Sequence, residues 1–110
     1  VKALALGADA IALANSAIQA AGCVAMRACH TGNCPVGVAT QKEELRKRLE
    51  IAQSAKQVKN LLEASTELIA VMARACGHDS VRKFSMDDLT TFDPEMARLS
   101  GISYAGVGGI

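Results

Sequence analysis

The five-residue apolar run Ala10-Ile11-Ala12-Leu13-Ala14 constrains the fold of this chain more than any other stretch. Before it, Val1 to Leu6 reads as the end of a helix, closed by Gly7 in the left-handed conformation, and Asp9 is a turn residue. After it, Asn15 or Ser16 can cap a short helix, Ala17 to Ala21, that stops at Gly22. A continuous apolar run of this length between turn residues is the pattern of a strand buried on both faces, as in parallel sheets. Helix end, turn, buried strand and capped helix make one unit of an α/β protein. A lone strand leaves its N–H and C=O groups without partners, so its neighbours are expected upstream of Val1 and the chain is read as part of a larger domain.

The pattern downstream is helical. Thr40-Gln41-Lys42-Glu43 reads as a capping box for a helix to about Leu49, supported by the Glu44–Arg48 spacing. Ser54-Ala55-Lys56-Gln57 reads as a second box, opening a long helix to about Cys76 with Gly77 at its end. Val58, Leu61, Leu62, Ser65, Ile69, Met72 and Cys76 share one face of that helix. Ser85 to Asp88 and Asp93-Pro94-Glu95 look like further helix starts, the second ended by Gly101. The tail from Ala105 is rich in glycine and reads as flexible.

Between these parts lies a segment too rich in Gly, Asn and Pro for an ordinary core element. Cys23 to Val38 is expected to be irregular, with a helical turn around Val24 to Ala28. It holds three of the four cysteines, Cys23, Cys29 and Cys34, in the spacing C-x5-C-x4-C. Thiolates bind iron–sulfur clusters, and three of them suit a 3Fe–4S cluster with one thiolate per iron. Zinc with His30 as fourth ligand is an alternative, although His30 directly follows Cys29 and structural zinc sites favour CxxC pairs. A disulfide would leave an odd cysteine, in a chain without secretory features. Three buried, inert thiols are the remaining reading. Cys76 fits core packing, while His30 and His78 fit a loop and a helix end, the latter suited to a partly positive imidazole.

Composition narrows the function. Half the residues are apolar and 21% are charged, which is globular, and one modest core is all that 110 residues allow. A net charge of +1 gives no polyanion-binding signal, and three aromatics without Trp make a base-stacking surface for nucleic acid unexpected. Gly7, Asp9, Asn15, Ser16 and Gln19 interrupt the apolar start, so no membrane span is expected there. Asn15-Ser16, at a helix start after a buried strand, could meet a phosphate, as barrel folds do after their last strands. Most such turns are plain helix caps.

The stretch GADAIALANSAIQAAGCVAMRACHTGNCPVGVATQ resembles the FMN-binding glutamate synthase family, as do ELRKRL and VMARACGH further on. In that family a GADA-type turn leads into the eighth strand of a TIM barrel, followed by a short helix at the flavin phosphate and a GC…C…CPxGxATQ cluster loop. The resemblance therefore implies an α/β fold: residues 1–22 as the end of an FMN-binding (β/α)8 barrel, 23–40 as an iron–sulfur cluster loop and 41–110 as a mostly helical extension. It implies Cys23, Cys29 and Cys34 as ligands of a 3Fe–4S cluster, and Asn15 and Ser16 beside the FMN phosphate. Asn15-Ser16 stand where large synthase subunits more often show Gly-Thr, which looks like the shorter branch lacking an amidotransferase domain. No residue of this chain is assigned to catalysis. The resemblance implies a cytoplasmic oxidoreductase in which electrons from ferredoxin or a nicotinamide-linked reductase pass through the cluster to FMN, which reduces 2-iminoglutarate to L-glutamate. The upstream remainder of the barrel would carry the other flavin and 2-oxoglutarate contacts. The contrasting account is a non-catalytic helical module holding zinc or free thiols.

Overall fold

The structure is a computed structural model, and it describes residues 1–105. These residues form α1 (Lys2–Ala5), α2 (Asn15–Ala20), α3 (Glu43–Arg46), α4 (Ile51–Ala75), β1 (Thr90–Thr91), α5 (Pro94–Ser100) and β2 (Ser103–Tyr104), with single 3-10 turns at Cys29–Thr31, Val81–Lys83 and Met86–Asp88. They divide into two compact units. One comprises Val1–Ile11 and the chain from Thr66 onward; the other is Ala12–Ser65. The glycine-rich tail, read as flexible, lies outside the described residues apart from Ala105.

In the first unit α1 ends where expected, and Gly7 takes φ 102°, a value that only glycine adopts freely. Ala5, Ala73 and Phe84 form a small buried cluster, flanked by Val1, Leu4, Ile69, Cys76 and Leu89. The starts at Ser85 and Asp93 are both capped. Ser85 and Asp88 complete a reciprocal capping box over one 3-10 turn, and Asp93 accepts from the N–H groups of Glu95 and Met96 ahead of Pro94 in α5. Gly101 closes α5 at φ 78°. The strands β1 and β2, separated by α5, pair in parallel with Thr90 opposite Ser103 and Thr91 opposite Tyr104. At two residues each they are too short for any alternation to announce them.

The expected strand at residues 10–14 has no pairing partner among the described residues and is not a strand there. A strand exists only through bonds to a neighbour, so the apolar run is left with Ile11 46% and Leu13 60% exposed.

Along α4 the half-covered or buried positions recur at Ser54, Val58, Leu61, Ser65, Ile69, Ala70 and Ala73, and the series continues to Cys76 just past its end. This is the apolar face the periodicity predicts, narrowed by the exposure of Leu62 and Met72. Gly77 follows at φ 78°. The two capping boxes expected at Thr40 and Ser54 fail. The helix starts at Ile51, so Ser54 sits inside it and its hydroxyl donates to the Ala21 carbonyl at 2.7 Å. The helix expected to run to Leu49 is the single turn α3, with Lys42 at its cap and no side-chain bond there. Among the described residues no helix is long and apolar enough to cross a membrane.

Candidate metal centre

The cysteine segment starts from the end of α2. Gly22, at φ 121°, turns the chain out of the helix, and the Cys23 N–H still donates to the Ile18 carbonyl at 3.1 Å. The helical turn expected at Val24 to Ala28 is absent; the residues there are irregular, and the turn falls at Cys29–Thr31 instead. Ala25 and Arg27 both sit at φ 59°, a conformation unfavourable for residues with a Cβ by about 1–2 kcal/mol each. Two such residues within three positions break any helix, and strain of this sort gathers at binding sites. The Ala25 N–H points back at Cys23 Sγ, 3.4 Å away.

Beyond the 3-10 turn, Thr31 Oγ1 donates to the Ala28 carbonyl at 2.7 Å and accepts from the Asn33 N–H at 3.2 Å. Cys34 is buried. Backbone N–H groups are directed at its sulfur, that of Ala39 foremost and those of Val36, Val38 and Gly37 after it. They hold the Cys34 thiol below its ordinary range, against the upward pull of burial.

All four cysteines are free thiols. Cys23, Cys29 and Cys34 line one pocket of about 20 Å³, together with Val24, Met26 and Pro35. That is room for about one water. Among the described residues no three His, Cys, Asp or Glu side chains stand close enough to hold a metal ion. The three thiols thus share a pocket without converging to ligation distance. In kind they fit a thiolate-bound group; in arrangement and volume the pocket must open to admit it.

The other candidates do not line this pocket. His30 is exposed and faces a separate, open concavity with Cys29, Thr40 and Lys42. Cys76 belongs to the other unit and packs beside the Ala5–Ala73–Phe84 cluster. Asn15 and Ser16 occupy the first turn of α2, exposed, with Ala14 rather than either of them at the cap.

Three further residues shape the loop. Thr40 Oγ1 donates to the Gly32 carbonyl at 2.5 Å and accepts from the Lys42 N–H at 3.1 Å. Lys42 Nζ donates to Asn33 Oδ1, and Arg48 Nη1 to the Pro35 carbonyl at 3.1 Å. Gly37 is buried at φ 80°, where a Cβ would strike the Leu45 carbonyl. In sequence Thr40 reads as a helix cap; the Cys34-Pro35 turn with Gly37 close behind it is the signal that the loop folds back on α3.

The family profile described as a conserved region in glutamate synthase matches residues 1–79, which takes in every residue of this site. The chain belongs to the glutamate synthase family. It is 44% identical over 80 residues to the archaeal glutamate synthase (NADPH) of Methanocaldococcus jannaschii, covering 73% of this chain and 16% of that protein. A glutamate synthase large subunit-like protein of Rhizobium meliloti is 32% identical over 121 residues, covering 96% of this chain and 27% of that protein. The ferredoxin-dependent glutamate synthase of Cyanidium caldarium is 58% identical over a shorter stretch of 48 residues, 3% of its length. The chain therefore spans about a sixth to a quarter of the first two relatives. No solved structure matches it.

Proposed function

We propose that this chain is the cluster-bearing end of the barrel in a glutamate synthase-type oxidoreductase. One observation carries the reading: three free thiols in the family's spacing line a single pocket, within the residues that the family profile covers. Cys23, Cys29 and Cys34 would hold the cluster, and three thiolates suit one of the 3Fe–4S type. When bound, such a cluster relays electrons from an outside donor to FMN, whose reduced form converts 2-iminoglutarate to L-glutamate.

The chain's own contribution is to hold and shield. The N–H groups around Cys34 favour its thiolate, the form that ligates. Val24, Met26 and Pro35 line the pocket beside the three cysteines, and the apolar surroundings of a cluster are one of the terms that tune its potential. Asn15 and Ser16 would stand beside the FMN phosphate, and the run at residues 10–14 would be the last barrel strand, its exposed Ile11 and Leu13 covered by neighbouring strands. The relatives' names differ in donor, NADPH in one and ferredoxin in another, and a reductant of either kind fits this chain. Asn15-Ser16 favour the branch without an amidotransferase domain. By itself the chain neither holds FMN tightly nor turns over.

Anaerobic reconstitution with ferrous iron and sulfide tests the reading. Brown protein with iron and sulfide retained through gel filtration is the expected result. A colourless protein that takes up zinc alone points to the structural module instead and overturns the proposal.

A further inference from the structure

Thr40 reads as a helix cap in sequence, yet its hydroxyl serves the cysteine loop. The Oγ1–H donates to the Gly32 carbonyl at 2.5 Å, and the same oxygen accepts from the Lys42 N–H at 3.1 Å. Both capacities of the hydroxyl are thereby used, and the chain is closed on itself from residue 32 to residue 42. Inside that closure lies Cys34, buried. The Gly37 N–H reaches the Cys34 carbonyl at 3.3 Å, so the turn is wound tightly around this one residue. The clasp is half-buried, shielded from competing water.

We propose that Thr40 is the positioning residue for Cys34: its clasp on Gly32 fixes the closed turn in which the Cys34 sulfur is buried, and so governs how firmly a thiolate-bound iron–sulfur group is held and at what potential. The inference rests on the reading that Cys34 is a cluster ligand. Hydrogen bonds to ligand sulfur stabilise the more negative, reduced state of a cluster, and outer partners of ligands commonly govern retention by about 10–100-fold. Without the hydroxyl the Gly32 carbonyl loses its donor and the loop loses its closure, while all three cysteines remain.

The test uses Thr40→Val, which keeps the shape and removes the hydroxyl, Thr40→Ala, which avoids any misfit of the branched chain, and Thr40→Ser, which restores the hydroxyl. In the iron- and sulfide-loaded protein, iron release to a chelator is expected to be about tenfold faster in the Val and Ala variants, with a more negative midpoint potential. The Ser variant should match wild type in both. In metal-free protein, amide exchange at Gly37, Val38 and Ala39 should accelerate in the Val and Ala variants alone. Wild-type protein that takes up no iron or sulfide removes the cluster reading, and the exchange measurement then still decides whether the clasp exists. Unchanged exchange, or unchanged iron release and potential in loaded protein, overturns the proposal. So does a Ser variant that behaves like Ala.

Discussion

His78 lies against Asp88, with Nε2 2.8 Å from Oδ2 and 3.0 Å from Oδ1 of the carboxylate. Both side chains are largely covered, and the imidazole meets the Phe84 ring edge-on at a centroid distance of 5.7 Å. The pair ties the chain just past the end of α4 to the 3-10 turn at Met86–Asp88. Asp88 Oδ2 also accepts from the Ser85 N–H at 2.9 Å, so one carboxylate caps a turn and anchors a helix end.

This double use predicts an acid sensitivity. The Ser85 N–H first, and then the His78 hydrogen bond, hold the Asp88 carboxyl below its ordinary range. A carboxyl depressed in the folded state contributes stability above its unfolded value and loses it as pH falls through the folded value. Urea midpoints should therefore drop on acidification in wild type and vary less with pH in Asp88→Asn. Equal slopes for the two proteins would refute the role given to Asp88.

How far the fold is legible in sequence depends on where each side chain's partner lies. Asp93 ahead of Pro94, and Ser85 three residues before Asp88, cap as read because their partners are adjacent in the chain. Gly7, Gly77 and Gly101 take the left-handed conformations that their places after helices demand. Thr40 and Ser54 match the same capping pattern and do something else. Their hydroxyls go to carbonyls eight and thirty-three residues away, and no local pattern encodes a partner at that distance. His78 is placed correctly at a helix end, but its carboxylate partner is ten residues on. The cysteine spacing brings all three thiols to one pocket, whereas the left-handed Ala25 and Arg27 that shape the path between them carry no signal a sequence can show.

The different surroundings of Cys29 and Cys76 predict different consequences for the same substitution. Cys29 is exposed in the loop and lines the shared pocket, while Cys76 packs beside a small apolar cluster in the other unit. Cys29→Ser should abolish iron and sulfide uptake, and Cys76→Ser should leave it intact. Iron analysis after identical reconstitution checks this; equal losses would mean that the ligand set is wrong.

Ser54 offers a test of a single tertiary bond. Ser→Ala inside a helix ordinarily gains up to about 0.5 kcal/mol from propensity. Here Oγ donates to the Ala21 carbonyl at the end of α2, and losing a half-buried bond of this kind costs about 1 kcal/mol. Ser54→Ala should therefore destabilise in urea with helix content by circular dichroism unchanged. A stabilised variant would show that the bond contributes less than the propensity gain.

The tight packing of the cysteine loop predicts an asymmetry between two glycines. Gly32 at φ 72° and Gly37 at φ 80° share the same backbone strain on substitution, about 1–2 kcal/mol for alanine. They differ in surroundings. A Cβ on Gly32 meets nothing within 4 Å, whereas one on Gly37 strikes the Leu45 carbonyl and comes within 3.2 Å of the Leu49 N–H nitrogen. Both contacts are backbone, which cannot rotate aside as a side chain can. Gly37→Ala should therefore destabilise by more than Gly32→Ala, the excess being about 1–3 kcal/mol as for overpacking in general. It should also displace the turn that aims N–H groups at Cys34, so iron retention falls in Gly37→Ala. Paired urea titrations and chelator assays compare the two variants directly. Equal effects in both would mean that the loop does not rest on α3 and the residues just after it as closely as the Gly37–Leu45 contact indicates.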